Sequence, residues 1–132
     1  MTSIFTKIVN GEIPCHKIAE TDHFFAFLDV FPLRYGHTLV IPKNQVAYIF
    51  DLESEEYMQL MHFAKTIAAA VKQAFPCKKV GMCVIGLEVP HAHIHLVPLN
   101  NVADMNFSAE KLKPSKDELE QHAKKIIAFL QH

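Results

Sequence analysis

The sequence predicts an α+β domain: a mainly antiparallel sheet carrying one long helix and a C-terminal helix. Three observations predict it. Short runs rich in aromatic and β-branched residues recur between turn-forming residues. One stretch, residues 54–75, switches to helical spacing, and a second helical pattern closes the chain. The chain has 132 residues, half of them hydrophobic and a fifth charged. That length and composition suit one domain over 1–132 with a real core and no disorder signature.

The first predicted strand is "CHKIAE" (15–20), a hairpin partner for "FFAFLD" (24–29) across a turn at "TD" (21–22). "RYG" (34–36) marks a second turn, and "HTLVIP" (37–42) alternates His37, Leu39 and Ile41 against Thr38 and Val40, which is strand spacing. Over 54–75 the period changes. Tyr57, Leu60, Met61, Ala64, Ile67, Val71 and Phe75 recur at three- and four-residue steps. Ser54 is the expected N-cap, Glu55 and Glu56 suit the positive helix end, and Pro76 stops the helix. "VGMCVIG" (80–86) returns to a strand. At the end Ser115 and Glu118 form a capping box ahead of Leu119, Ala123, Ile126, Ile127 and Leu130.

Bulk properties exclude several classes. The formal net charge of −1, with both signs mixed along the chain, gives no basic stripe for nucleic acid. The N-terminus lacks a basic region followed by an apolar run, and no apolar run approaches a membrane span of roughly 20 residues. Cys15, Cys77 and Cys83 are odd in number and form no C-x-x-C pair, which fits buried thiols in a reduced compartment. A soluble cytoplasmic domain is expected.

One stretch carries the chemistry. "PHAHIHLVP" (90–98) places His91, His93 and His95 at alternate positions between two prolines. As a strand over 91–97 it turns the three imidazoles to one face and Ala92, Ile94 and Leu96 to the other. Helical spacing would scatter them. Three readings of such a face exist. Exposed decoration is the blandest and suits one histidine better than three. A zinc site needs three or four ligands, which His37 or Glu88 would complete. The third is a nucleophilic imidazole, largely neutral near pH 7, that attacks phosphorus while its neighbours bind phosphate oxygens.

"HAHIHLV" has the pattern His-φ-His-φ-His-φ-φ, where φ is hydrophobic, and resembles the signature of the histidine-triad (HIT) nucleotide-binding family. "IFTKIVNGEIP" (4–14), "AFLDVFP" (26–32) and "GHTLVIPK" (36–43) are similar to that family's other landmarks, in the same order. The resemblance implies a HIT-like fold with a five-stranded sheet, a homodimer, and nucleotidyl hydrolysis or transfer at the α-phosphate of purine nucleotides, with no cofactor. By the same resemblance His93 is the nucleophile, His91 orients it through its backbone carbonyl, and His95 and His37 line the phosphate site. Asp29 would hold the ribose hydroxyls. Phe5, Ile8, Phe27, Leu28 and Val30 would hold the base, although plain packing explains an aliphatic or aromatic residue equally well. Gly86 would let backbone approach phosphate. Asp29 is the harder one to dismiss, since an unpaired buried carboxylate is expensive.

The chain also departs from the pattern. Ser3 and Thr6 stand where many bacterial relatives have a zinc-binding C-x-x-C pair, and Gln45 stands for a further histidine, so no structural zinc is expected. Val80 and Leu87 replace a common Asn and Gln. Glu88 replaces a serine that assists the leaving group, and its carboxylate would repel a polyphosphate or favour a basic leaving group. Two rivals to the enzyme reading are a nucleotide-binding module without turnover and a strand-borne zinc enzyme.

Overall fold

Alternation along the strands sorts their side chains onto two faces, and both faces are covered. In the computed structural model, which describes residues 1–130, the strands are β1 (Lys17–Glu20), β2 (Phe24–Leu28), β3 (Thr38–Pro42), β4 (Lys79–Cys83) and β5 (Ile94–Leu99). The helices are α1 (Ile4–Val9), α2 (Ser54–Ala74) and α3 (Lys116–Ile127). The strands form one antiparallel sheet in the order β1-β2-β3-β5-β4. This is the five-stranded α+β architecture that the sequence predicts.

One face of the sheet packs on α2 and α3. Phe24, Ala26 and Leu28 of β2, Val40 of β3, and Ile94 and Leu96 of β5 share a core with Leu60, Ile67, Leu119 and Ile126. On the other face Phe25, Phe27, Leu39 and Ile41 gather around Phe5 of α1. Because β2 and β3 are covered on both sides, they read as continuous apolar runs and not as alternating ones. The register sets Leu39 opposite His95 and Val40 opposite Ile94. His95 therefore stands on the α1 face while Ile94 enters the main core.

Several boundaries differ from expectation, each for a local reason. Residues 4–9 form a short helix that β-branched "IFTKIV" does not advertise. Ser3 caps it, its Oγ accepting from Thr6 N–H at 3.0 Å, and Phe5 anchors it to the sheet. The long helix is capped by Glu53 instead of Ser54. The Glu53 carbonyl already accepts from Tyr57 N–H at 2.8 Å, so Ser54 lies inside the helix. The strand over 80–86 stops at Cys83, and the chain turns at Gly86, whose φ of 67° suits glycine.

The histidine strand is displaced most. It starts at Ile94, not His91, because His91 N–H donates to Val89 O (2.8 Å) and Ala92 N–H to Val46 O (2.7 Å), outside the ladder. It also runs through Pro98, which faces Val80 of β4. The register with β3 has ended at Leu96, so the missing N–H costs nothing on that side. The final helix keeps its Ser115–Glu118 capping box as expected. The three cysteines are free and half-buried rather than buried. Among the described residues no helix is long and apolar enough to cross a membrane.

Candidate active site

Gly36 starts the construction. At φ 95° it makes the turn that delivers His37 to the head of β3, beneath the loop that follows β2. Asp29 N–H donates to the His37 carbonyl at 3.0 Å, and Leu33 N–H donates to His37 Nδ1 at 3.0 Å. A backbone N–H can only donate, so Nδ1 is the acceptor and the ring proton sits on Nε2. That proton is donated to His95 Nδ1, 3.0 Å away. His95 is thereby fixed with its own proton on Nε2.

His93 is held by the same logic in the opposite sense. Its Nδ1 lies 2.8 Å from the His91 carbonyl, which only accepts, so Nδ1 carries the proton and Nε2 keeps a lone pair. The His93 and His95 rings meet edge to face at 4.9 Å. His91 does not join this row. Its ring is fully buried, with Nε2 donating to the Pro42 carbonyl at 2.7 Å and Nδ1 accepting from the Ser3 hydroxyl at 2.7 Å. Because the chain bends through 87–91 and joins the strand only at Ile94, the expected face of three imidazoles becomes His93, His95 and His37, with His91 as a buried brace.

Burial keeps His37, His91 and His95 neutral. It pushes His37 down to about 3, helped by the neighbouring His95 and Lys111, and His95 down to about 4, helped by His93. Burial also lowers His91, against the opposing pull of the Pro42 carbonyl. Asp29 Oδ2 lies 3.6 Å from His37 Nε2, which with a neutral ring is a dipolar contact and not an ion pair. Burial raises the Asp29 carboxyl, opposed by Phe31 N–H donating to Oδ1 at 2.9 Å.

The predicted base-holding residues are distributed unevenly. Phe5 stands edge-on to His93 at 4.9 Å and to Phe27 at 5.6 Å, with Ile8 packed beside them. Val30 is exposed. Leu28 packs in the main core on the opposite face, away from the histidines. Gly86 and Glu88 line a cleft of about 330 Å³ together with His93 and His95. Two further residues of that cleft, Phe107 and Lys111, escape sequence reading. Neither "NFSAEKLKP" nor its surroundings show periodicity, and the lysines resemble a solvated stretch.

The arrangement pairs an Nε2 lone pair with an adjacent Nε2–H donor at the mouth of a cleft. It can attack an electrophile and hydrogen-bond the oxygen that gathers charge. It suits a metal poorly. Donor atoms of Asp29, His37 and His95 lie within 4.8 Å of one another, but Leu33 N–H occupies His37 Nδ1 and a proton occupies Nε2. A cation would have to break one of those bonds. Ser3, Thr6 and Gln45 form a neutral network instead of a ligand set: Ser3 N–H and the Thr6 hydroxyl both donate to Gln45 Oε1, at 2.8 and 2.9 Å.

Comparison with known proteins gives the family and the fold. The HIT domain family model matches residues 10–102. An adenosine 5'-monophosphoramidase of Schizosaccharomyces pombe is 36% identical over 102 residues, covering 76% of this chain and 77% of that protein. An adenylylsulfatase of Arabidopsis thaliana is 27% identical over 130 residues, covering 95% of this chain and 66% of that one. Among solved structures, a Hit-like protein involved in cell-cycle regulation from Bartonella henselae superposes with a TM-score of 0.83 at 31% identity. It covers 96% of this chain and 95% of its own.

Proposed function

The chain belongs to the HIT family, and from that premise we propose that it is a nucleotide hydrolase or transferase acting at the α-phosphate of purine nucleotides. Phosphoramidates and dinucleoside polyphosphates are the substrate classes we favour. The observation that carries the reading is the His93 tautomer, with Nδ1–H on the His91 carbonyl and a free lone pair on Nε2.

In the first step Nε2 attacks the α-phosphorus. A P–N bond forms, the bond to the leaving nitrogen or oxygen breaks, and the leaving group departs with the bonding pair and takes up a proton. His93 becomes a nucleotidyl-imidazolium, and its Nδ1–H donates to the His91 carbonyl, whose dipole favours the developing charge. The His95 Nε2–H, oriented through His37 and Leu33, binds a non-bridging oxygen. Water then attacks phosphorus, the P–N bond breaks, and neutral His93 is restored with release of the monophosphate. Asp29, partly exposed beside His37, has acceptor capacity left for ribose hydroxyls. Two relatives named for adenylyl substrates, a phosphoramidase and a sulfatase, support adenosine nucleotides as the substrate class. No step needs a metal or cofactor.

We assign a homodimer through the open side of the sheet. β4 is an edge strand, and beside it Tyr48, Phe50, Met82, Ile85 and Leu87 line an apolar groove of about 560 Å³. The free thiols and the lack of a membrane-crossing helix among the described residues support a cytoplasmic setting.

The direct test is AMP release from an adenosine phosphoramidate, an aminoacyl adenylate and a dinucleoside polyphosphate, with and without exhaustive chelation. Chelator-resistant turnover that His93→Ala abolishes is expected. Turnover restored only by zinc would replace this reading with a metalloenzyme.

A further inference from the structure

A nucleotide phosphate brings full negative charge into the cleft, while the buried histidines around it offer dipoles. The cationic side chain among the residues lining that cleft is Lys111. It is not a free surface lysine. Its ammonium donates to the Phe107 carbonyl and, at 3.1 Å, to the Ala109 carbonyl, which curls residues 107–111 into a hook. Phe107 of the hook stands edge-on to His95 at 4.8 Å and to His37 at 6.3 Å. Leu112 N–H then donates to the Pro32 carbonyl at 2.9 Å, tying the hook to the loop between Asp29 and His37.

Two carbonyls use two of the three ammonium protons and leave the third for a ligand. The charge is close enough to act on both Asp29 and His37. Across the same cleft Glu88 is exposed, so water and salt screen it more than the half-buried lysine. The hook lies beyond residue 102, outside the stretch that the family model matches. Its own hydrogen bonds bring it to the site.

We infer that Lys111 is the phosphate-binding cation of the cleft, pairing with non-bridging oxygens of the substrate's α-phosphate beside His93 and His95. The inference rests on the nucleotide reading above. It assigns the charge that His37 and His95, held neutral by burial, do not supply, and makes the 107–111 hook part of the binding site.

Calorimetric titration of AMP and of adenosine into wild type, Lys111→Met and Lys111→Arg tests it. The methionine variant should bind AMP about tenfold more weakly, as loss of a charge-assisted bond predicts, with a shallower dependence on salt. Adenosine, which has no phosphate, should bind it as it binds wild type, and the arginine variant should recover most of the AMP affinity. Equal losses for AMP and adenosine would reduce Lys111 to a support for the hook, and unchanged AMP affinity would remove it from the site; either overturns the inference while leaving the nucleotide reading intact. If wild type binds neither ligand, both readings fall.

Discussion

His37 and His95 show how single residues acquire roles that their side chains do not dictate. Leu33 N–H decides which nitrogen of His37 carries a proton, and His37 decides the same for His95. Both stay neutral because burial holds them at about 3 and about 4, below an unfolded value of 6.5. The sign of the pH effect follows. Between those values and 6.5 the unfolded chain binds protons that the folded one refuses, so stability is fully present above 6.5 and lost as pH falls. By pH 5 the loss should be on the order of 2 kcal/mol per ring. Urea denaturation at pH 7 and pH 5, with ring nitrogen shifts followed by NMR, checks both halves. A flat stability profile, or His37 protonated at pH 6, would contradict the assignment. At this scale alternation singles out His93 and His95, and an acidic residue in an apolar run singles out Asp29, whereas His37 enters the phosphate site only through the resemblance to the HIT family. The sequence does not reveal that His91 is buried, because that depends on Ser3 and Pro42, far away in the chain.

At the scale of elements, α1 is the surprise and also the brace of the site. Six residues are too few to hold a helix by propensity alone. It persists because Ser3 caps it and also donates to His91, while Phe5 packs on His93 and Phe27. Ser3→Ala should therefore remove a cap and leave a buried imidazole nitrogen with only the Thr6 hydroxyl, 3.4 Å away, at about 1–3 kcal/mol in urea denaturation. Turnover should fall as well, since His91 carries the carbonyl that orients His93. A variant as stable and active as wild type would show that α1 is ornamental. The long helix, the capping box of α3 and strands β2 and β3 were legible because each repeats a period over several residues. The N-terminal helix and the 107–111 hook were not, because one cap and a few carbonyl bonds define them without any repeat.

For the whole molecule, β1 and β4 are the edge strands of the sheet, and the apolar groove begins beside β4. Sedimentation equilibrium should give twice the chain mass of 15.0 kDa, and Leu87→Asp with Phe50→Asp should shift the protein to monomer. A wild-type monomer would reject the dimer. The sequence order of strands says little about this edge, since β5 inserts between β3 and β4. The same intact chain offers the most direct test of the central claim, that His93 is the nucleophile. Wild type quenched during turnover of an adenosine phosphoramidate should show by mass spectrometry one added adenylyl group. The group should be acid-labile, on the peptide containing His93, and absent from His93→Ala. An adduct on another residue, or undiminished turnover by His93→Ala, would contradict the account.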